Sequence, residues 1–281
     1  MSYLDRIAAC NDADLDGFVR FQIQDENVGW IRPEFAERLL AFQDVFVRAE
    51  GAVAVSTALA TPDARTKAVD AVLRALADEG LIKGWRGEPY PVGGSYFSGH
   101  LMTMERAAIP HFGVRAYGVH VNGYVRGPDG LAMWIGRRAY DKTTFPGLLD
   151  NFVAGGQPVG IGLMENVIKE AGEEAGVPPD LAARAVPVGA ISYRHRSEGI
   201  FKPDVMYCYD LELPPDFMPQ NTDGETAYFY FWPVEQVMQT VAETESFKFN
   251  CNLVCIDFFI RHGLITPEHP DYLETLNGLR Q

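Results

Sequence analysis

The sequence predicts an α+β protein: a mixed sheet with helices packed on it, preceded by a smaller α/β region. Three observations carry this expectation. "VRAYGVHVNGYV" and "LAMWIGRRA" alternate apolar and polar residues with the period of a strand. "TPDARTKAVDAVLRALADEGLI" and "LMENVIKEAGEEAG" carry apolar stripes with the period of a helix. The texture also changes near residue 110, from helical and Gly/Pro/aromatic stretches to a run of strand signals, dividing the 281 residues into 1–110 and 111–281. At 47% hydrophobic residues the chain has enough apolar material for one large core or two smaller ones.

In chain order, "RPEFAERLLAFQDVF" places Phe35, Leu39, Phe42 and Phe46 at helical spacing behind Pro33, so a helix is expected through Phe46. In the next helix Thr61 can cap and Pro62 suits the first turn. Val69, Val72, Leu73 and Leu76 make the stripe, and Gly80 is placed to end it. "KGWRGEPYPVGGSYFSGHL" reads as short strands and turns; its aromatics Trp85, Tyr90, Tyr96 and Phe97 are expected to help shape a pocket. The two alternating runs pair as a hairpin across "RGPDG". A helix follows from Leu163 to Ala175, with Leu163, Val167, Ala171 and Ala175 on one face. Gly176 can take a left-handed cap, and Pro178 and Pro179 prevent continuation. "VMYCYDLEL" and "TAYFYFWPV" read as strands, and "NCNLVCIDFFIRHGLI" as a terminal helix.

The formal net charge of −14 repels polyanions, which argues against nucleic acid as a partner. An anionic small substrate needs a local cationic pocket or metal ions to overcome that field. No apolar run approaches the length of a membrane span, and the N-terminus does not read as a secretory signal, so a cytoplasmic location is the default expectation. Cys10, Cys208, Cys251 and Cys255 are too few for a disulfide framework. Cys251 and Cys255 stand one helical turn apart with only His262 as a further zinc ligand in that segment, so buried core cysteines are expected. A homodimer is left open.

The helix from Leu163 contains an electrostatic problem. Glu170 and Glu174 are four residues apart with Glu173 beside them, a spacing that costs a few tenths of a kcal/mol per like-charged pair. They also lie toward the C-terminal end, where the helix dipole disfavours anions. A solvated charged face accommodates this pattern, with Lys169 pairing to Glu165 and Glu173. So does a divalent-cation site, because carboxylates one turn apart can share an ion that removes their repulsion.

The residues around the helix favour the cation site. Gly155, Lys169, Glu170, Ala171, Glu173, Glu174, Gly176 and Val177 stand in the register of the Nudix box, a glycine and a Glu followed by Arg-Glu-aliphatic-x-Glu-Glu-x-Gly-aliphatic over twenty-three residues. Two positions depart from it: the first Glu falls on Ile161, and the arginine is Lys169. Those two residues normally brace each other, and Glu165 is the expected substitute. "FGVRAYGVHVNGYV", "MWIGRRAYDKTTFPGLLDNFVAGG", "YCYDLELPPDFMPQNTDGETAYFYFWPVEQV" and "FKFNCNLVCIDFFIRHGLITPEHPDYLE" resemble the Nudix subfamily found in some fungi fused to thiamine pyrophosphokinase. "GWIRPEFAERL", "RTKAVDAVLRAL" and "GWRGEPYPV" are similar to its N-terminal domain of uncharacterised type.

The resemblance implies a Nudix α/β/α sandwich and Mg²⁺- or Mn²⁺-dependent cleavage of a diphosphate. It implies thiamine diphosphate or its oxidised oxo and oxy derivatives as substrate; the damaged forms are favoured because hydrolysing the intact cofactor wastes it. The metal set it implies is Glu170, Glu173 and Glu174 with the Gly155 carbonyl; the catalytic set is Glu174, Glu170 and, from the loop "NTDGETAYF", Glu225 as base. For the phosphates the sequence offers Arg137, Arg138 and Lys142, although neighbours on a strand face opposite ways and at most one of the two arginines can enter a given site. His120 and Asn122 share a strand face and complete the substrate-side candidates, His120 also reading as a satisfied structural histidine. Nucleoside diphosphate derivatives such as ADP-ribose are the competing substrates. A ligand sensor usually loses box glutamates, which are intact here. The isomerase sharing this fold needs a catalytic cysteine segment, which has no counterpart.

Overall fold

The computed structural model describes residues 2–281 apart from Ser95, Ser98 and Glu198. The N-terminal half runs α1 (Tyr3–Cys10), β1 (Val19–Ile23), β2 (Glu26–Ile31), α2 (Pro33–Leu39), β3 (Phe46–Ala49), β4 (Ala52–Val55), α3 (Pro62–Asp78), β5 (Pro89–Val92), β6 (Met102–Glu105) and α4 (Ile109–Phe112). Its sheet has the order β2-β1-β4-β3, with β5 and β6 forming a separate hairpin. Phe21, Phe46, Leu73, Leu76, Met102 and Phe112 meet in one core with Val114 at its edge. In α3 Thr61 accepts from the Ala64 N–H and Pro62 opens the first turn, as the sequence indicates. The helix expected through Phe46 stops at Leu39 instead. Tight turns join Phe42 to Leu39 and Phe46 to Phe42, so the apolar period continues past the helix; Phe46 then starts β3 opposite Val55.

The C-terminal half runs β7 (Tyr117–Gly127), β8 (Gly130–Arg138), β9 (Leu149–Asp150), β10 (Val153–Gly156), α5 (Leu163–Ala175), α6 (Pro179–Ala182), β11 (Val186–Ser192), β12 (His195–Ser197), β13 (Ile200–Lys202), β14 (Val205–Glu212), β15 (Thr226–Pro233), α7 (Val234–Glu243), α8 (Cys251–Arg261) and α9 (Tyr272–Gly278). The main sheet is ordered β11-β14-β7-β8-β15, with β10 paired to β7 and β9 to β8. It is mixed, since β14 runs parallel to β7 while β8 and β10 run antiparallel to it. Val119 and Val121 of β7 pack under Val167, Ala171 and Ala175 of α5. On the other face Tyr124, Met133 and Ile135 pack against α7 and α8. Helices on both faces of a mixed sheet make the expected sandwich.

Packing does not follow chain order at the N-terminus. Ile7 and Cys10 of α1 belong to the core formed with α7 and α8, and Arg6 donates to the carbonyls of Val241 and Thr244. Helix α1 therefore crosses to the C-terminal half. Among the described residues the four cysteines are free and buried, and no helix is long and apolar enough to cross a membrane.

Candidate active site

α5 forms over the span its sequence indicates, Leu163 to Ala175, ended by Gly176 at φ 64°. Val167, Ala171 and Ala175 are fully buried. Burying one Val contributes about 1.5–3 kcal/mol, against a few tenths for each carboxylate repulsion, so packing decides that the helix forms. The glutamates are then carried to three different environments. Glu173 is exposed, Glu170 is half-buried, and Glu174 is buried with one oxygen accepting the Ala154 N–H at 2.9 Å. Lys169 answers the repulsion in this state: its ammonium lies 3.0 Å from Glu170 and 2.7 Å from Glu173. Burial pushes the Glu174 carboxyl well above the ordinary range, and the charges of Asp150, Glu170 and Glu225 push the same way. Burial also raises Glu170, against the opposing pull of Lys169. Two oxygen-donor groups that resist carrying uncompensated charge suit a hard divalent cation.

The strand opposite explains the paired glycines. A Cβ on Gly155 would collide with the Glu170 carboxylate, and one on Gly156 with the Tyr90 hydroxyl. The loop between β10 and α5 is braced without Glu165. That side chain turns back toward the Gly162 N–H at 3.4 Å, and Lys169 pairs elsewhere. The brace is instead an amide network: buried Asn166 donates to the Gly156 carbonyl (2.8 Å) and to Gln157 Oε1 (3.0 Å). Gln157 in turn donates to the Ile161 carbonyl (2.8 Å) and to the Tyr96 hydroxyl (2.7 Å). Tyr96, from the N-terminal half, donates to the Ile161 carbonyl at 2.9 Å, and Val159 donates to the Pro89 carbonyl at 2.9 Å.

A cleft of about 440 Å³ opens over Gly155, Glu170 and Glu173. Arg86, Glu88, Tyr90 and Arg106 form one wall and belong to the N-terminal half; Lys202 and Lys248 line the cleft from the C-terminal half. Arg106 is held by Glu88 at 2.9 Å and lies 5.9 Å from the Tyr90 ring. Of the sequence candidates, Lys142 and Glu225 both line the cleft, paired at 2.5 Å. Burial raises the Glu225 carboxyl, but Lys142, Arg86 and Arg106 outweigh it and hold the group below its usual value.

The paired arginines separate as strand geometry requires. Arg138 lines the cleft, its guanidinium spent on Asp150 (2.8 Å) and the Phe145 and Thr144 carbonyls (3.0 and 2.9 Å). Arg137 lies outside, bound to the Tyr230 hydroxyl (2.9 Å) and the Gly147 carbonyl (2.6 Å). Asn122 is also outside the cleft: it is buried and donates to Asp210, which Arg261 and His262 of the α8 end hold. His120, two residues earlier, reaches the cleft floor but is only 5% exposed, its Nδ1 2.9 Å from Asn151 Oδ1. Trp85 packs under Arg74, 4.7 Å from the guanidinium, outside the cleft. Arg86, Arg106, Lys202 and Lys248 are not legible in the sequence, because they come from separate segments that no local spacing connects.

His120, Asp150 and Cys251 bring their ligand atoms within 4.8 Å of one another. Their surroundings oppose a cation. Arg138 holds Asp150 at 2.8 Å, Lys248 stands 4.0 Å away, and the Cys251 thiol donates to Asp150 at 2.7 Å. The cluster fits a buried hydrogen-bond network better than a metal centre, and the box carboxylates remain the better-suited oxygen donors.

A family model described as "Domain of unknown function (DUF4743)" matches residues 2–116. Nudix hydrolase 20, chloroplastic, of Arabidopsis thaliana is 44% identical over 289 residues, covering 99% of this chain and 77% of the relative. The chain belongs to the Nudix hydrolase family. Nudix hydrolase 24, chloroplastic, of the same plant is 44% identical over 282 residues with the same coverage. An uncharacterized protein of Saccharomyces cerevisiae is 34% identical, covering 78% of this Nudix hydrolase and 68% of the yeast chain. Among solved structures, the NUDIX domain of Shewanella oneidensis NrtR complexed with ADP ribose is 16% identical with a TM-score of 0.42, covering 54% of this chain and 90% of that one. A MutT/nudix family protein from Enterococcus faecalis is 15% identical with a TM-score of 0.43, covering 58% and 67%.

Two outcomes test this geometry. Asn166→Ala leaves the Gly156 carbonyl and Gln157 Oε1 unpaired and should cost about 1–3 kcal/mol in urea unfolding. Glu165→Gln should change stability by less than about 0.5 kcal/mol; a larger loss than for Asn166→Ala would return the brace to Glu165. The second concerns acid. Burial, with Lys248, pushes the His120 imidazole down to about 4. A depressed folded-state pKa means its contribution is present above about pH 6.5 and is lost as pH falls toward 4, up to about 3 kcal/mol. Glu170 and Glu174 shift the opposite way, so the comparison is between unfolding curves of wild type and His120→Asn across that window. The variant should lose the His120 share of the slope, and identical slopes would remove His120 from the account.

Proposed function

We propose that this Nudix hydrolase cleaves the phosphoanhydride of an organic diphosphate, with thiamine diphosphate or its oxidised derivatives as substrate, yielding the monophosphate and phosphate. The observation carrying the proposal is the opposition in one cleft of Glu170, packed on Gly155, and Glu173 to Arg86, Arg106, Lys202 and Lys248; Glu174 is buried behind them on the Ala154 N–H, outside the cleft lining. A chain with a net charge of −14 has here assembled the cationic surface that a diphosphate requires. The vitamin rests on the resemblance of the flanking segments, and the aromatic residues Tyr90, Tyr117, Tyr193 and Phe201 around the cleft are compatible with it.

In this proposal Glu170, Glu173 and Glu174, with the Gly155 carbonyl, hold Mg²⁺ or Mn²⁺. A bound ion supplies charge neutralisation on the phosphate oxygens and makes water more acidic. The chain's own residues do the rest. Arg106 and Lys202 orient the phosphates, and Tyr90 and Arg106 place the N-terminal region, residues 1–110, over the substrate. Hydrolysis adds water across the bridging P–O bond, and the released proton needs a carboxylate acceptor. Glu225 stands at the cleft and can take that proton once Lys142 turns to the phosphates. A cytoplasmic setting accompanies this proposal, supported by four free buried cysteines.

Glu174→Gln should lower kcat by at least about a hundredfold while the fold survives, because a charge is lost from the metal set and a buried repulsion is relieved. Mg²⁺ should raise the Tm of wild type more than that of Glu174→Gln; equal shifts would point to non-specific ion effects. For the substrate, kcat/KM should be higher for thiamine, oxothiamine or oxythiamine diphosphate than for ADP-ribose. Faster turnover of ADP-ribose than of all three would overturn the vitamin assignment and leave phosphoanhydride hydrolysis standing.

A further inference from the structure

The cleft over the box carboxylates does not end at its cationic wall. A second cavity of about 390 Å³ lies between the β2 edge of the N-terminal sheet, at Asn27 to Trp30, and the β11–β14 side of the C-terminal half. The two cavities share Val114, Tyr117, Tyr193, Phe201, Asp204 and Val205. Each falls in the volume range of small-molecule sites, and together they offer a polar, ion-rich chamber joined to one with aromatic walls. The phosphates belong in the first, because Glu170, Glu173 and the cations are there. The organic group of the same molecule must leave that chamber, and the shared residues form the passage.

The passage carries one carboxylate, Asp204. Tyr193 donates its hydroxyl to Asp204 Oδ2 at 3.0 Å, and Asn250 Nδ2 donates to the same Tyr193 hydroxyl at 3.3 Å. Among the hydrogen bonds of the described residues, Asp204 Oδ1 accepts none from a side chain. Burial raises the Asp204 carboxyl, opposed by Tyr193, Lys202, the backbone N–H of Ala116 and Lys248; the carboxylate lines both cavities and keeps acceptor capacity beyond the Tyr193 and Ala116 bonds. Around it, Tyr117 stacks on Tyr207 at an interplanar angle of 13°, and Phe201 lies 5.7 Å from the Arg194 guanidinium. Flat aromatic surfaces beside a carboxylate acceptor suit a planar ring that bears N–H donors.

We propose that Asp204 is a specificity-determining residue that accepts an N–H of an amino-substituted nitrogen heterocycle, seated at Tyr117, Tyr193 and Phe201 while the diphosphate of the same substrate faces the box glutamates. The assignment rests on the diphosphatase proposal above and deepens it by naming the class of the organic end. Asp204 takes no part in the bond cleavage. An inorganic diphosphate, having no ring, makes no use of it.

The test uses the full chain and two readouts. Thiamine monophosphate, which keeps the aminopyrimidine and lacks the scissile bond, serves as the binding probe, titrated without hydrolysis against wild type and Asp204→Asn. Asp204→Asn is expected to weaken it about 10–100-fold, the loss of one hydrogen bond to a charged acceptor. Oxythiamine monophosphate, whose ring amine is replaced by a carbonyl, should not be weakened by Asp204→Asn, because the new amide can donate to that carbonyl; weakening equal to that of thiamine monophosphate would overturn the proposal. In turnover, kcat/KM for thiamine diphosphate should fall by the same factor in the variant, with methyl diphosphate unchanged. Tyr193→Phe keeps the ring wall and removes the hydroxyl that already occupies Asp204, so it should leave thiamine monophosphate affinity within about threefold. Equal weakening by Tyr193→Phe and Asp204→Asn would show a structural Tyr–Asp pair and overturn the proposal. So would unchanged binding in Asp204→Asn, or no binding of the probe to wild type, even with diphosphates still cleaved. Weakened binding in Asp204→Asn with no diphosphate cleaved by wild type would support the ring site and sink the diphosphatase proposal instead.

Discussion

The contact between β10 and α5 is the constraint on which the rest depends. Two carboxylates of α5 are pressed against the strand, Glu174 on the Ala154 N–H and Glu170 over Gly155. A Cβ on Gly155 would displace the Glu170 carboxylate and one on Gly156 the Tyr90 hydroxyl, so the Gly-Gly pair is what lets both side chains take these positions. The burial that makes the contact possible also opposes ionisation of both groups, so the protein holds acidic oxygens in a state that favours capture of a cation. The apolar side of the same helix supplies the stabilisation that offsets this. Val167, Ala171 and Ala175 are closed against β7 and cannot retreat without opening the sheet face.

The brace of that contact has moved from charge to amides. Where the resemblance leads one to expect a Glu–Arg pair, Ile161 contributes only its backbone carbonyl, which receives Gln157 and Tyr96. An amide network is insensitive to salt and pH, unlike an ion pair, but every member must be satisfied, because an unpaired buried amide is costly. Tyr96 joins that network, taking a bond from Gln157 and giving one to the Ile161 carbonyl. The N-terminal half is therefore tied into the geometry of the loop that carries Gly155 and Gly156, in addition to lining the cleft.

Legibility in the sequence followed the range of the interactions involved. α5 is legible to the residue because its stripe, its Gly176 cap and the prolines behind it are all local signals. The helix drawn through Phe46 failed for the opposite reason: a chain of tight turns preserves an apolar period of three and four, and only the non-local pairing of Phe46 with Val55 makes that residue a strand. In the site, the three glutamates lie in one motif and could be found together. His120 and Asn122 share a strand face as expected, yet that face runs from the cleft floor to beneath α8, and two residues of travel separate the two environments. Arg86, Arg106, Lys202 and Lys248 are assembled by tertiary structure alone.

The distribution of charge over the molecule then acquires a direction. The chain carries a net charge of −14, yet seven of its 24 arginines and lysines line one cleft, and several are restrained by carboxylates that also face it: Arg106 by Glu88, Lys142 by Glu225, Lys169 by Glu170 and Glu173. On the proposed function each pair is a partner held in reserve, since a phosphate would replace the carboxylate and a cation would replace the lysine. Exchange costs less than recruiting unpositioned groups, because these side chains are already oriented by their partners. On that proposal the cleft is a set of internal ion pairs that a metal and a diphosphate would replace with pairs of opposite ownership, leaving the net charge of the protein unaltered.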